Sequence, residues 1–195
     1  YIENKSKAVF TEDTVDIGQK SDNFYLQTKL EGEKVVLEGR AKGLTVNIYR
    51  VGNITFDSDK GIFQANIESN AFYQRIKSFI NLGIIPQGFG EADLSYVDGV
   101  SSAILSLFDL KELENNIFHI ENPQKVDLAK VLTSEALGLN IQTLEMPAVI
   151  DYLLEHYDHE GFREYIENLM VHMGFMAEED MNKMTYTITL CEKTD

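Results

Sequence analysis

An α/β fold built on parallel strands is what this sequence predicts, and three observations predict it. A helix-favouring stretch over residues 23–42 stops at Gly43 and gives way at once to the apolar, β-branched run 44–49. A helix followed promptly by a short buried strand is the repeating unit of parallel α/β sheets. A second amphipathic stretch over 65–82 stops at Gly83, and the short apolar runs 94–97 and 118–120 bracket another helical segment.

Taken in order, residues 1–22 are polar and mixed, with Glu12, Asp13 and Asp16 ahead of Gly18, and read as a loop. The first helix has Asp22 or Asn23 available as a cap and Gly43 as a stop. The run 44–49 suits a buried strand, and 52–61, with Asp57, Ser58 and Asp59, reads as a loop. Ile67, Ala71, Phe72, Ile76, Phe79 and Ile80 recur at helical spacing and give the next helix its face. Strand 94–97 leads to Asp98, placed to cap a helix over 100–110, and strand 118–120 closes at Asn122-Pro123. Beyond it, helices over 126–137, 146–156 and 162–173 surround a strand at 141–144, while 184–190 has strand propensity. The chain is thus expected to divide near residue 125, with 126–195 as a small, mostly helical subdomain.

Composition bounds the function. The 195 residues carry 32 acidic against 17 basic side chains, a net charge of -15, which argues against nucleic acid because phosphate binding needs a basic face. Cys191 is the single cysteine, so no intrachain disulfide can form, which fits a reducing, cytoplasmic location. No stretch approaches the roughly 18–20 apolar residues of a membrane span. The chain opens at Tyr1 and reads as a fragment.

The chemistry-bearing feature is Tyr25 with Lys29. Residues four apart share a helix face, so the ammonium can sit beside the phenol and stabilise its anion. That turns a group with a free pKa of about 10 into an acid usable near neutrality. The spacing alone also fits an ordinary solvated helix face. Near it, Arg50-Val51-Gly52-Asn53 ends the run 44–49; read without context, it is a strand-ending turn whose Arg50 makes a buried salt bridge. His156 and His159, with Glu160 and His172, invite a metal reading, but there is no HExxH pattern, and a solvated helix end explains them better. Met170, Met173 and Met176 at helical spacing read as core.

Four segments resemble, in order and spacing, the carboxy-terminal half of an extended short-chain dehydrogenase/reductase: YLQTKLEGEK (25–34), GLTVNIYRVGNI (43–54), ADLSYVDGVSSA (92–103) and FHIENP (118–123). The segment FQANIESNAFY (63–73) makes the resemblance one to the thioester reductase domains that terminate nonribosomal peptide synthetases. The implied fold is the second half of a Rossmann-like parallel sheet with a mostly helical substrate-side subdomain. The resemblance implies that Tyr25 gives a proton to a substrate carbonyl oxygen while NADPH supplies hydride, and that Lys29 lowers the phenol pKa and bonds the nicotinamide ribose. Val51, Gly52 and Asn53 would meet the carboxamide, Gly52 permitting close approach. Phe63 and Asn66, with Phe72 as a core alternative, fall where an acyl pocket would lie. His119 reads as structural.

The same resemblance implies a carrier-protein partner bearing a phosphopantetheine-linked acyl or peptidyl thioester, release as aldehyde or alcohol, and a monomeric domain of a larger cytoplasmic synthetase. It places a Gly-rich phosphate turn and an orienting Ser or Thr upstream of Tyr1, in an amino-terminal Rossmann half. No G-x-G-x-x-G occurs here, and Gly88-Phe89-Gly90 lacks the strand-turn-helix setting, so this fragment alone is expected to be inactive. Two other readings stay open: a reductase or epimerase acting on a nucleotide sugar or small carbonyl compound, for whose diphosphate Arg75 is the one nearby cation, and a non-catalytic interaction module.

Overall fold

The computed structural model describes residues 7–19, 24–87, 89, 91–173 and 186–189. The expected caps Asp22 and Asn23, and Gly88, Gly90, Met176 and Cys191, lie outside these, as do the side chains of His172 and Met173. The chain is a mixed α/β structure with two compact units. Tyr1–Lys60, Leu94–Asn122 and Ala177–Asp195 make the first, and Gly61–Asp93 with Pro123–Met176 make the second. Beside the expected division near residue 125, one passage between units falls at Asn122-Pro123, and Gly61–Asp93 are grouped with the later segment.

In the first unit, β1 (Lys7–Phe10) pairs in parallel with β8 (Tyr186–Thr189), and β2 (Ile48–Val51) in parallel with β5 (Ile117–Ile120). Strand β1 corrects the reading of residues 1–22 as a loop. Its four residues sit among polar neighbours and gain their ladder from a segment far along the chain, a pairing that local pattern does not carry. Helix α1 (Phe24–Ala41) ends where Gly43 predicted, at φ +99. The Gly43 amide donates to Arg40 and the Leu44 amide to Gly39, at 3.0 and 3.1 Å, the double bond of a left-handed helix stop. Leu44 lies over Gly39, so the front of the run 44–49 finishes the helix and the strand begins only at Ile48.

Two other boundaries move. The expected strand 94–97 is instead β4 (Glu91–Asp93), of the second unit, followed by a single bridge from Ser95 to Ile54. Helix α3 spans Val97–Phe108, so Asp98 lies in its first turn rather than capping it. Val100, Phe118 and Ile120 form the buried core of this unit, flanked by Tyr49, Ile104 and Leu107.

The second unit is held by helix α2 (Ala71–Leu82), β3 (Ile84–Pro86), β6 (Lys125–Asp127), α4 (Leu128–Leu132), β7 (Gln142–Leu144), α5 (Met146–Glu155) and α6 (Arg163–Met173). Strands β3 and β7 run parallel, and β4 and β6 antiparallel. The expected helix 65–82 is broken at Asn70, whose side chain accepts the Tyr73 amide at 3.0 Å and starts α2 afresh after a single 3-10 turn. The expected helix 126–137 shortens at both ends: Asp127 accepts from the Lys130 amide after the first residues pair as β6, and the helix stops at Leu132, with a separate 3-10 turn over Glu135–Leu137. Phe79, Leu82, Ile84, Ile85, Leu132, Val149, Ile166 and Leu169 form one continuous buried core.

Candidate active site

Tyr25 and Lys29 lie one turn apart on α1, and the Lys29 Nζ sits 5.3 Å from the Tyr25 ring centroid. The structure therefore brings the two together, with the ammonium over the aromatic face, a favourable electrostatic position. The Tyr25 side chain is well exposed, and no residue of α1 is buried. An amphipathic helix is normally anchored by its apolar stripe. α1 half-buries Leu30 and Leu37, and among the described residues its polar contacts include Lys34 to Asp16 at 2.9 Å, Arg40 Nη1 to the Asn115 carbonyl at 2.7 Å, and Glu33 to Arg50.

The last of these is the most elaborate. Arg50, in β2, grips both carboxylate oxygens of Glu33, its Nε donating at 3.1 Å and its Nη2 making a shorter bond to the second oxygen. Only 14% of the Arg50 side chain and 17% of the Glu33 side chain reach solvent, so the pair is weakly screened. Nη2 gives its second proton to the Thr14 carbonyl at 2.7 Å, and the two Nη1 protons are shared among the carbonyls of Thr11 and Glu12, at 3.2 and 3.4 Å, and the His119 ring. Arg50 Nη1 also lies 3.0 Å from His119 Nε2, which must accept, so the imidazole carries its proton on Nδ1. Phe10 stacks on His119 at 5.5 Å and lies under the guanidinium at 4.6 Å. The salt-bridge reading of Arg50 and the structural reading of His119 both match this arrangement.

β2 ends at Val51, paired with Ile120, and the chain runs on through Gly52 and Asn53. The Gly52 amide donates to the Ile120 carbonyl at 3.1 Å, and the Asn53 carbonyl accepts from the Ser95 amide at 3.0 Å. These two backbone groups extend the ladder, and Ser95 holds the next step through Thr55, whose amide donates to the Ser95 carbonyl at 2.8 Å. The loop beyond is pinned to α3: Ser58 donates to the Asp98 carboxylate from its amide at 2.9 Å and its hydroxyl at 2.6 Å. Those bonds, the hydroxyl foremost, hold the Asp98 carboxyl below its ordinary value of 3.8. A depressed folded pKa stabilises the fold above the unfolded value, and that contribution is lost as pH falls through the folded one. Ser58 amide exchange, corrected for its intrinsic pH dependence, should therefore quicken as pH falls below 3.8, and Asp98→Asn should remove that dependence.

Phe63 and Asn66, expected at an acyl pocket, belong to the second unit. Phe63 is half-buried, while Asn66 is exposed and turns the chain, its Nδ2 donating to Ser69 Oγ at 3.0 Å and its carbonyl accepting from the same hydroxyl at 2.9 Å. Phe72 is half-buried, with the Arg75 guanidinium 5.8 Å from its ring and 5.4 Å from that of Phe89. Burial lowers the Arg75 pKa from its ordinary value, and among the described residues its Nε has no hydrogen-bond partner. His156 stacks on Tyr152 at 4.1 Å with Nδ1 2.9 Å from the Tyr152 carbonyl, and His159 packs on Phe162. Among the described residues no group of three His, Cys, Asp or Glu is placed to hold a metal ion, and no helix is long and apolar enough to cross a membrane.

The model of an NAD-binding family described as Male sterility protein matches residues 1–104, the span that holds Tyr25, Lys29 and the Val51–Asn53 turn. The chain belongs to that NAD-binding family. The chain is 28% identical over 158 residues to a linear gramicidin synthase polypeptide of Brevibacillus parabrevis, covering 80% of this chain and 3% of that protein. It is 34% identical over 120 residues to glycine betaine reductase ATRR of Emericella nidulans, covering 61% of this chain and 9% of that one. Among solved structures it resembles the terminal R domain from the myxalamid PKS-NRPS biosynthetic pathway, at a TM-score of 0.75 and 27% identity, over 88% of this chain and 43% of that one. It also resembles a thiolation-reductase di-domain from an archaeal non-ribosomal peptide synthetase, at 0.70 and 26%, over 91% of this chain and 37% of that one. The resemblance to terminal reductase domains read from the sequence is thereby borne out, as is the fold class. The chain spans less than half the length of these relatives.

Sequence reasoning missed Glu33, the Thr11–Thr14 carbonyls and Ser95 as parts of this site. Glu33 had a signal: it stands four residues after Lys29, on the stripe that starts at Tyr25. The others act through backbone groups, which residue type does not reveal.

Proposed function

We propose that this chain is the substrate-side half of an NADPH-dependent thioester reductase that releases an acyl or peptidyl chain from a carrier protein. The observation that carries the reading is the apposition of Lys29 and Tyr25 on an exposed face of α1, in a chain of an NAD-binding family whose relatives include synthetase reductase domains. The residues fit the nicotinamide end of a dinucleotide: an exposed ammonium for the ribose hydroxyls, an exposed phenol beside it, and a strand-ending turn with Gly52. NADPH, when bound, supplies the hydride.

The chain's own part is proton delivery and charge stabilisation. As the thioester carbonyl carbon accepts hydride, negative charge collects on its oxygen, and Tyr25 neutralises it by passing over the phenolic proton. Lys29 compensates the phenolate left behind. The resulting thiohemiacetal collapses to aldehyde and the free thiol of the pantetheine arm, and a second round would give the alcohol. Phe63 and Asn66 are assigned to the acyl side. The partner is a carrier, or thiolation, domain, in a monomeric, cytoplasmic arrangement.

The test uses a polypeptide extended at the amino terminus to the length of the relatives, with nicotinamide absorbance followed in the presence of an acyl-pantetheine thioester. Oxidation that requires the thioester and yields free thiol is the expected result. Oxidation with a nucleotide sugar or simple ketone but not with the thioester would overturn it.

A further inference from the structure

We infer that Glu33 and Arg50 are positioning residues that set the rotation of α1 and so the place of Tyr25 and Lys29; this rests on the catalytic reading above. Tyr25, Lys29 and Glu33 follow one another at four-residue spacing and form a single stripe along α1. The first two are at the exposed end of that stripe. The third is the point where the helix is gripped, by a guanidinium that holds both its oxygens in a planar fork. Arg50 in turn is fixed by the carbonyls of Thr11, Glu12 and Thr14 and by His119 of β5. It also directly precedes the Val51–Asn53 turn assigned to the nicotinamide.

One ion pair therefore references the proton donor and the cofactor-side turn to each other. Leu30 and Leu37 are only half-buried on α1, and two further polar tethers seen among the described residues differ in kind. Lys34 to Asp16 is a solvent-exposed single contact, with a third or more of each side chain in water, and Arg40 meets one carbonyl near the far end of the helix. Neither offers the two-point grip that resists rotation. The sensitivity is large: at an outer helix radius of about 5–6 Å, a turn of about 20° sweeps a side-chain tip through about 2 Å. A misplacement of about 1 Å can cost about 100-fold in rate.

The experiment compares Glu33→Gln and Arg50→Lys with wild type in the extended reductase, with Tyr25→Phe alongside. Glu33→Gln keeps the shape and drops the charge; Arg50→Lys keeps the charge and loses the fork. In each, kcat per folded active site should fall by about 10-fold or more, and the KM for the nicotinamide nucleotide should rise because Lys29 moves with the helix. The thioester KM should stay within twofold or so of wild type. A purely structural role would lower the folded fraction and leave both KM values unchanged, which overturns the proposal. Wild-type kcat and nucleotide KM in Glu33→Gln, with Tyr25→Phe inactive, would overturn it while leaving the catalytic reading standing. Wild-type turnover in Tyr25→Phe would instead remove the catalytic reading, and this inference with it.

Discussion

Replacing Tyr25 with Phe in the extended reductase is expected to lower kcat by about 10²- to 10⁴-fold, the range that a positioned general acid supplies. The substitution removes one oxygen from a residue that is 66% exposed in this chain, and thermal unfolding alongside the kinetics checks that stability is kept. Both KM values should stay close to wild type, since the lost interaction is made in the transition state. Lys29→Met should differ in kind: kcat falls, and the nucleotide KM rises because the ammonium is also the assigned ribose contact. Steady-state nicotinamide absorbance with varied thioester and varied nucleotide separates the two patterns. Turnover of Tyr25→Phe within about threefold of wild type would make the pair an accident of helical spacing, since proton transfer would then lie elsewhere.

Phe79→Ala carries the largest expected cost in stability, about 3–5 kcal/mol. Phe79 is fully buried at the centre of the second unit, in the cluster that includes Ile85, Ile166 and Leu169, and meets the edge of Phe89 with centroids 4.9 Å apart. Removing its ring forfeits the transfer energy and leaves a cavity walled by strands and helices that cannot close in. The aromatic pair adds about 0.5–1.5 kcal/mol that Phe79→Leu would also lose while keeping most of the volume. Urea unfolding followed by far-ultraviolet circular dichroism should show a midpoint lowered strongly in Phe79→Ala and much less in Phe79→Leu. Equal midpoints would mean that the core tolerates the void by collapsing.

The parts legible in the sequence are those written in local pattern. Gly43 and Gly83 ended their helices where expected, both with positive φ, and Ile117–Ile120 was read as a strand to within a residue. The spacing of Tyr25 and Lys29 foretold that they share a face, and the structure places them so. What local pattern hid was set by distant partners. Lys7–Phe10 is a strand through its pairing with Tyr186–Thr189. Asp98 has the chemistry of a cap but is spent on Ser58, forty residues away in sequence. Asn70 and Asp127 each interrupt a stretch of helical periodicity because a short polar side chain at the right place caps a new helix. Of the candidate site, the side-chain chemistry was readable, whereas the grip of Arg50 on Glu33 joined two segments that periodicity treats separately.

The parallel pairing of β2 with β5 has a consequence for how this chain is made. Arg50 and His119, partners in that ladder, are 69 residues apart in sequence, and all of Gly61–Asp93 emerges between them. At about 5–20 residues per second, a ribosome would leave β2 and α1 waiting several seconds for β5. During that wait the edge of β2 is open to other strands and Arg50 lacks His119. Slow decoding between residues 51 and 116 would lengthen this exposure, so synonymous codon choice in that stretch should influence how much of the chain reaches its folded state.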